Sequence, residues 1–241
     1  MGAQWKHAGR IENSSKRGAL ISKLVKEITV AAKTGDSSPE NNPRLRAAIE
    51  AARKASVPRD NIDRAVKKGA GLLDEQIYYE LVTYEGFAPH QVPVVVECLT
   101  ENKNRTAADI RLLFRKGMLG SIGSVTWMFD RLGVVEATHP SSEKDIEGEA
   151  IESGAQNVEP LDSREIPSGY CGARFFCEPV DLDSVSKFLA QAGWDITASE
   201  MSYLSKNRIE LSSEQRQEVT DFLDAIDDHD DVHRVYTAIQ S

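Results

Sequence analysis

Long apolar runs are missing from this chain of 241 residues. No stretch of about 18 apolar residues occurs, so the sequence offers no membrane-spanning helix. The opening MGAQWKHAGRIENSSKRG lacks the apolar centre of a secretory signal. Gly2 invites myristoylation, but Lys6 stands where that pattern needs Ser or Thr. Cysteine is scarce: Cys98, Cys171 and Cys177 form no CxxC pair and leave one thiol odd. Reduced thiols in a cytoplasm fit that usage, and a disulfide framework does not. Also absent are Gly-x-Ser-x-Gly, HExxH and a Walker lysine. The expectation is a cytoplasmic, non-enzymatic protein with no cofactor, no bound metal, no membrane partner and no small-molecule substrate.

What is there is an ordinary globular composition, 40% apolar and 28% charged, with an unusual layout of charge. The net charge of −9 hides a division. Residues 1–70 hold 15 Lys/Arg against 7 Asp/Glu, a balance of +8, while residues 71–241 hold 14 against 31, a balance of −17. A basic head on an acidic body points to nucleic-acid contact through one end. The body repels a polyanion at long range, so orientation matters.

The periodicity divides the chain in the same place. Residues 1–17 read as an irregular basic arm around Trp5 or, equally, as a frayed terminus. A helix over Arg17–Lys33 follows from the spacing of Leu20, Leu24, Ile28 and Ala31, and Gly35 ends it. Asn42 caps a second helix with Pro43 at its first position, burying Leu45, Ala48, Ile49 and Ala52. A third begins near Pro58, turns Ile62, Ala65 and Val66 inward, and stops at Gly69-Ala70-Gly71. β-forming runs then take over at Tyr78–Tyr84 and Val92–Thr100. Thr106 with Asp109 resembles a capping box that opens a helix through Phe114, and a flexible loop with Gly117, Gly120 and Gly123 leads to a strand at Ser124–Phe129.

From Gly133 the order strand, helix, strand, strand, helix, strand can be read, with elements at Val134–Ala137, Glu143–Ser153, Ala155–Glu159, Cys171–Glu178, Leu182–Ala192 and Ile196–Leu204. A helix at Ser213–Ile226 and a strand at Val232–Ile239 remain, and most simply rejoin the earlier sheet. The expected class is α+β in three domains. Residues 1–75 form a basic three-helix domain, 76–131 with 206–241 a central α/β domain, and 132–205 an inserted acidic ferredoxin-like βαββαβ domain.

The candidate site is the basic side of the helices. Arg44, Arg46, Arg53, Lys54, Arg59, Arg64, Lys67 and Lys68, with Lys16, Arg17 and Lys23 and the arm residues Lys6 and Arg10, are the types that meet phosphates. Such cations release counterions and give affinity without base readout. The plainer alternative is a solvated face with pairs Glu50–Lys54, Asp60–Arg64 and Asp63–Lys67. A short turn between two helices is not by itself a helix-turn-helix.

Other clusters read as structural. Asp227-Asp228-His229-Asp230-Asp231 lacks the alternation, Gly and closing Glu of a calcium loop, so a solvated turn is expected. A strand start between His229 and His233 breaks the helical spacing zinc would use. Cys171 and Cys177 share a strand face and pack. Gly120–Ser124 precedes a strand, not the helix N-terminus of a phosphate cradle. Asn102–Thr106 reads as a capped strand-to-helix turn more readily than as an anion site.

Five stretches in this order, KRGALISKLVKEITVAAKTG, NPRLRAAIEAARKASVPRDNIDRAVKKGAG, YEGF, ECLTENKNRTAADIR and GSVTWMF, resemble the YebC/PmpR family over nearly the whole chain. The resemblance implies the same three domains, no enzymatic activity, and a regulator of gene expression. In bacterial members that means a DNA-binding transcriptional regulator, and in others a factor acting on the ribosome at proline-rich stretches. Two departures fit a divergent paralogue. The usual Gly-His-Ser-Lys-Trp opening is replaced by Gly2-Ala3-Gln4-Trp5-Lys6-His7, and the glycine loop Lys116–Ile122 is short and without Gly-Gly-Asn. The partner expected is therefore DNA, with ribosomal RNA as the alternative, and the chain is expected to act as a monomer. A third reading, from another class, has the acidic sheets binding a basic protein.

Overall fold

The computed structural model describes residues 14–73, 79–162 and 166–239, with side chains in the first helix from Gly18 on. The α+β expectation holds. Two four-stranded sheets and seven α-helices lie among the described residues. By their contacts the described residues gather into two compact units, one of 14–26, 79–130 and 203–239, the other of 27–73, 131–162 and 166–202.

The first unit is organised around β2 (Val92–Thr100), whose nine residues are all buried. Its run VPVVVECLT is apolar without alternation because both faces are covered. Val92, Val94, Val96 and Cys98 face a core with Ile110, Phe114, Phe222, Leu223 and Ile226, while Val95 faces Val125, Phe129 and Tyr236. β1 (Glu80–Ala88) pairs antiparallel with β2 in the register Glu80↔Thr100 to Ala88↔Val92. The full order is β3-β1-β2-β8, with β3 at Met118–Leu119 and β8 at Val232–Thr237. The last strand therefore does rejoin the earlier sheet, and α7 (Ser213–Asp227) packs beside it, opened by a capping box between Ser212 and Gln215.

Two local expectations fail here. α4 runs over Lys103–Leu113 and is capped by Asn102, whose side chain accepts from the Arg105 N–H at 3.1 Å. Thr106 is inside the helix and fully buried, so it caps nothing. Ser124–Phe129 is not a strand. It holds a 3-10 turn at Thr126–Met128, and β4 begins at Phe129. The cause is Glu85, whose buried carboxylate accepts from the N–H groups of Gly123 (2.7 Å), Val125 (2.9 Å) and Thr126 (2.9 Å). Amides held by a carboxylate are withdrawn from a ladder. The same bonds anchor the glycine loop expected to be flexible.

In the second unit, β4 (Phe129–His139), α5 (Ile146–Ser153), β5 (Asn157–Pro160), β6 (Cys171–Cys177), α6 (Leu182–Gln191) and β7 (Asp195–Ser205) follow in the βαββαβ order. The sheet order β5-β6-β4-β7 is the ferredoxin-like arrangement. Val135, Ala137 and Phe175 of the sheet share one core with Leu189 of α6 and Trp194.

The same unit holds the end of α1 (Ser14–Thr34), α2 (Pro43–Lys54) and α3 (Arg59–Gly69). Small residues set their spacing. Ala31, Ala32, Ala48, Ala52 and Ala65 are buried with Ile28, Leu45, Ile49 and Ile62. At Gly69 a Cβ would stand 2.4 Å from the Thr29 carbonyl oxygen, so only glycine allows this approach of α3 to α1. Asn42 is the joint between α1 and α2. It is buried, donates to the Ala31 (3.0 Å) and Asp36 (2.7 Å) carbonyls, and accepts from the Leu45 N–H at 3.0 Å.

Candidate nucleic-acid interface

The joint between α2 and α3 is a Schellman motif. The Val57 N–H donates to the Ala52 carbonyl at 2.9 Å and the Ser56 N–H to the Arg53 carbonyl at 2.9 Å. Ser56 takes the left-handed position with φ 57°, and Val57 turns inward and is buried. α3 ends the same way, with Leu72 N–H on the Lys67 carbonyl and Gly71 at φ 72°. Because Val57, Ile62 and Ala65 are held inside, the intervening polar residues of α3 turn to solvent.

The described cations then sort into two groups. Arg53, Lys54, Arg59, Arg64 and Lys67 are exposed. Arg53 and Arg59 flank a depression of about 350 Å³ lined also by Val57, Ile62 and Asp63. Arg53 is 2.5 Å from Glu50 and Arg59 is 3.7 Å from Asp63, both exposed pairs that solvent screens. Lys54 and Lys67 have no carboxylate partner among the described residues. Lys68 is half-buried.

The other group is consumed by the fold. The Arg44 guanidinium is 2.9 Å from Glu27, and Arg46 donates to the carbonyls of Pro39 (3.1 Å) and Glu40 (2.9 Å). The Lys23 ammonium donates to the Asp227 carbonyl and lies 3.2 Å from its carboxylate, with only 15% of the side chain exposed. Lys23 is therefore not part of an open face. Lys16 and Arg17 lie in the first turn of α1 but their side chains fall outside the described residues, as Lys6 and Arg10 do entirely.

Lys26 and Arg105 were missed as charge-bearing partners, and the sequence carried no signal for them, since their carboxylate is over a hundred positions away. Asp231 is buried and takes Lys26 at 2.9 Å, Arg105 at 2.9 Å and the Thr106 hydroxyl at 2.8 Å. Burial would raise its pKa, but these donors prevail and hold it down at about 2. Asp231 thus does not belong to a solvated turn, as its acidic run suggested. The cleft beside it, about 620 Å³, mixes Lys26 and Arg105 with Glu101, Asp109 and Asp230. Its central charges already satisfy one another.

His229 is part of the same turn: its Nδ1 accepts from the Asp231 N–H at 3.1 Å and its Nε2 lies 3.3 Å from Asp109. Among the described residues no group of three or more His, Cys, Asp or Glu is placed to hold a metal, and no helix is long and apolar enough to cross a membrane. Burial pushes the thiol of the core residue Cys98 up to about 12 and that of Cys177, buried on β6, up to about 11.

Comparison with known proteins covers nearly the whole chain. Residues 3–72 match the TACO1/YebC protein N-terminal domain and residues 79–239 the TACO1/YebC second and third domain. The chain is 48% identical over 241 residues to a protein of Pseudomonas syringae pv. tomato named "probable transcriptional regulatory protein", covering 99% of each. A Bdellovibrio bacteriovorus protein with a name of the same kind is also 48% identical, over 99% of this chain and all of its own. The crystal structure of a conserved hypothetical protein from Aquifex aeolicus superimposes with a TM-score of 0.76 at 37% identity, covering 99% of this chain and 96% of the other.

Proposed function

The chain belongs to the TACO1/YebC family, and on that premise we propose that it is a non-enzymatic regulator of gene expression that binds duplex DNA through the outward side of α2 and α3. One observation carries this reading: Arg53, Lys54, Arg59, Arg64 and Lys67 stand exposed on two helices joined rigidly at a capped turn. Cations on flexible arms over a fixed scaffold neutralise phosphates and set register without reading bases. The names of the bacterial relatives agree with a transcriptional role. The division into 1–75, 76–131 with 206–241, and 132–205 is part of the proposal, supported by the N-terminal, second and third domains named in the two matches.

A second reading, contact with ribosomal RNA, has an observation of its own. The stretch from Pro43 to Gly69 contains no Gln and a single Asn, Asn61, so side chains that read adenine edges are few. A phosphate-seeking face suits an RNA helix as well as a DNA one. The test uses the full chain and its R53A/K54A/K67A variant, binding duplex DNA of arbitrary sequence, duplex RNA, and ribosomes by co-sedimentation. Loss of three phosphate contacts makes the log–log salt slope shallower by about three. Unchanged affinity and slope in the variant would remove the interface. Co-sedimentation with ribosomes and no DNA binding would select the RNA reading.

A further inference from the structure

Exposed cations recur in the acidic body. Arg115 and Lys116 follow α4, and Lys206 and Arg208 follow β7, with Asp130 and Glu210 as the acids of those same segments. The segments around residues 127 and 206 meet: the Lys206 N–H donates to the Met128 carbonyl at 3.0 Å, and its ammonium to the Trp127 carbonyl at 3.1 Å, 3.4 Å from Asp130. Arg115, Lys116 and Arg208 are exposed and have no carboxylate partner among the described residues.

In the segment between Lys116 and Asp130 stand two exposed apolar side chains, Ile122 at 93% and Trp127 at 65%. Exposure of a tryptophan is costly and rarely idle. Its indole N–H already donates to the Ser124 carbonyl at 3.1 Å, so what remains for a partner is the ring face. The loop does not owe this display to looseness. Glu85 clamps it through Gly123, Val125 and Thr126, including the Thr126 hydroxyl at 3.0 Å, and Gly123 takes φ 84° to make the turn. Although burial opposes the charge on Glu85, these donors hold its carboxyl below the usual range, so the clamp stays ionised at neutral pH.

We propose that this clamped loop is a second nucleic-acid contact, built for a single-stranded segment. An unpaired base stacks on the Trp127 ring, and Lys206 and Arg208 meet the neighbouring phosphates. A rigid aromatic face among cations is the combination that holds unpaired bases, because every base presents a π-face while a duplex hides it. A protein partner would require a broad apolar patch around the indole, where Lys206 and Asp130 stand instead, and a membrane would draw on the indole N–H, which is already used. This site shares no residue with α2 or α3, so its test is independent of the duplex reading.

The experiment measures fluorescence anisotropy of labelled oligouridylate and oligothymidylate, each about twelve nucleotides, and of a duplex of the same length, against the full chain. W127A is expected to weaken single-strand binding between about fivefold and a hundredfold, W127F to retain most of it, and K206A/R208A to flatten its salt dependence. The duplex arm is expected to be unchanged in all three and lost only in R53A/K54A/K67A. A preference between the two oligonucleotides identifies RNA or DNA as the source. Single-strand binding that survives W127A and K206A/R208A overturns the proposal. So does binding to phosphatidylcholine–phosphatidylserine vesicles that W127A abolishes while oligonucleotide binding is absent.

Discussion

Lys23 and Lys26 on α1 and Arg53 and Lys54 at the end of α2 come from one basic stretch of sequence, and the fold treats them in opposite ways. The first two are largely enclosed, at 15% and 12% side-chain exposure, with Asp227 and Asp231 as partners. The other two face water at the turn into α3, Lys54 without a carboxylate among the described residues. A cation inside the fold contributes stability through a partner it cannot leave. A cation on an open helix end contributes little to stability and remains available to a polyanion. The basic head is thus two devices, one for holding and one for binding, and the difference lies in what each side chain meets.

The largest expected effect breaks the holding device. Asp231→Ala leaves Lys26 without its buried counter-charge, and unfolding stability in urea should fall by about 3 kcal/mol. The pH dependence carries the same sign. Because the folded pKa of about 2 lies below the ordinary 3.8, the contribution of Asp231 is complete above about pH 4 and disappears as pH falls through 2. That contribution is about 2 kcal/mol, so the acid limb of the wild-type stability curve should be steeper than that of D231A. Parallel acid limbs would show that the cluster holds nothing. Nucleic-acid binding at neutral pH by the folded fraction should not change.

How much of this was readable in advance depends on sequence distance. The three helices and the βαββαβ order follow from periodicity and turn residues, and Asn42-Pro43 announces its own cap. The return of β8 to the first sheet was legible only by elimination. What could not be read was every contact between a charge and a remote partner. Glu85 removes Val125 and Thr126 from a strand that their β-propensity favours, and nothing within ten positions of Ser124 predicts it. Asp231 looks like its solvated neighbours until α4 and α1 bring Thr106 and Lys26 to it. In the interface, the residue types were legible and their availability was not: Arg44 meets the largely enclosed Glu27 and Arg46 two backbone carbonyls, whereas Arg53 meets only the exposed Glu50 of its own helix.

A paired substitution sharpens the contrast at intermediate size. Lys23→Ala should lower stability by about 1–2 kcal/mol, since it removes the hydrogen bonds from the Lys23 ammonium to the Asp227 carbonyl and carboxylate, and should leave duplex affinity unchanged. Lys54→Ala should do the reverse. Unfolding should be unaffected, while affinity should fall roughly fivefold at 0.15 M salt for the loss of one phosphate contact. If the two variants changed both properties alike, the separation into holding and binding cations would not stand.

The smallest effect lies at the turn that presents the binding group. Ser56 occupies the left-handed position of its Schellman motif with a Cβ, where the equivalent position after α3 is Gly71. A Cβ in that conformation costs on the order of 1 kcal/mol, partly offset by the lower entropy of serine in the unfolded chain. Ser56→Gly should therefore stabilise by about 0.5 kcal/mol, and Gly71→Ala should destabilise by about 1 kcal/mol. Both are read as shifts in urea midpoint at constant m. Neither changes a charge, and in Ser56→Gly the two closing hydrogen bonds keep Arg53 and Arg59 on either side of the depression, so duplex affinity should hold. A loss of affinity in Ser56→Gly would mean that the stiffness of this turn, as well as the cations around it, sets the contact.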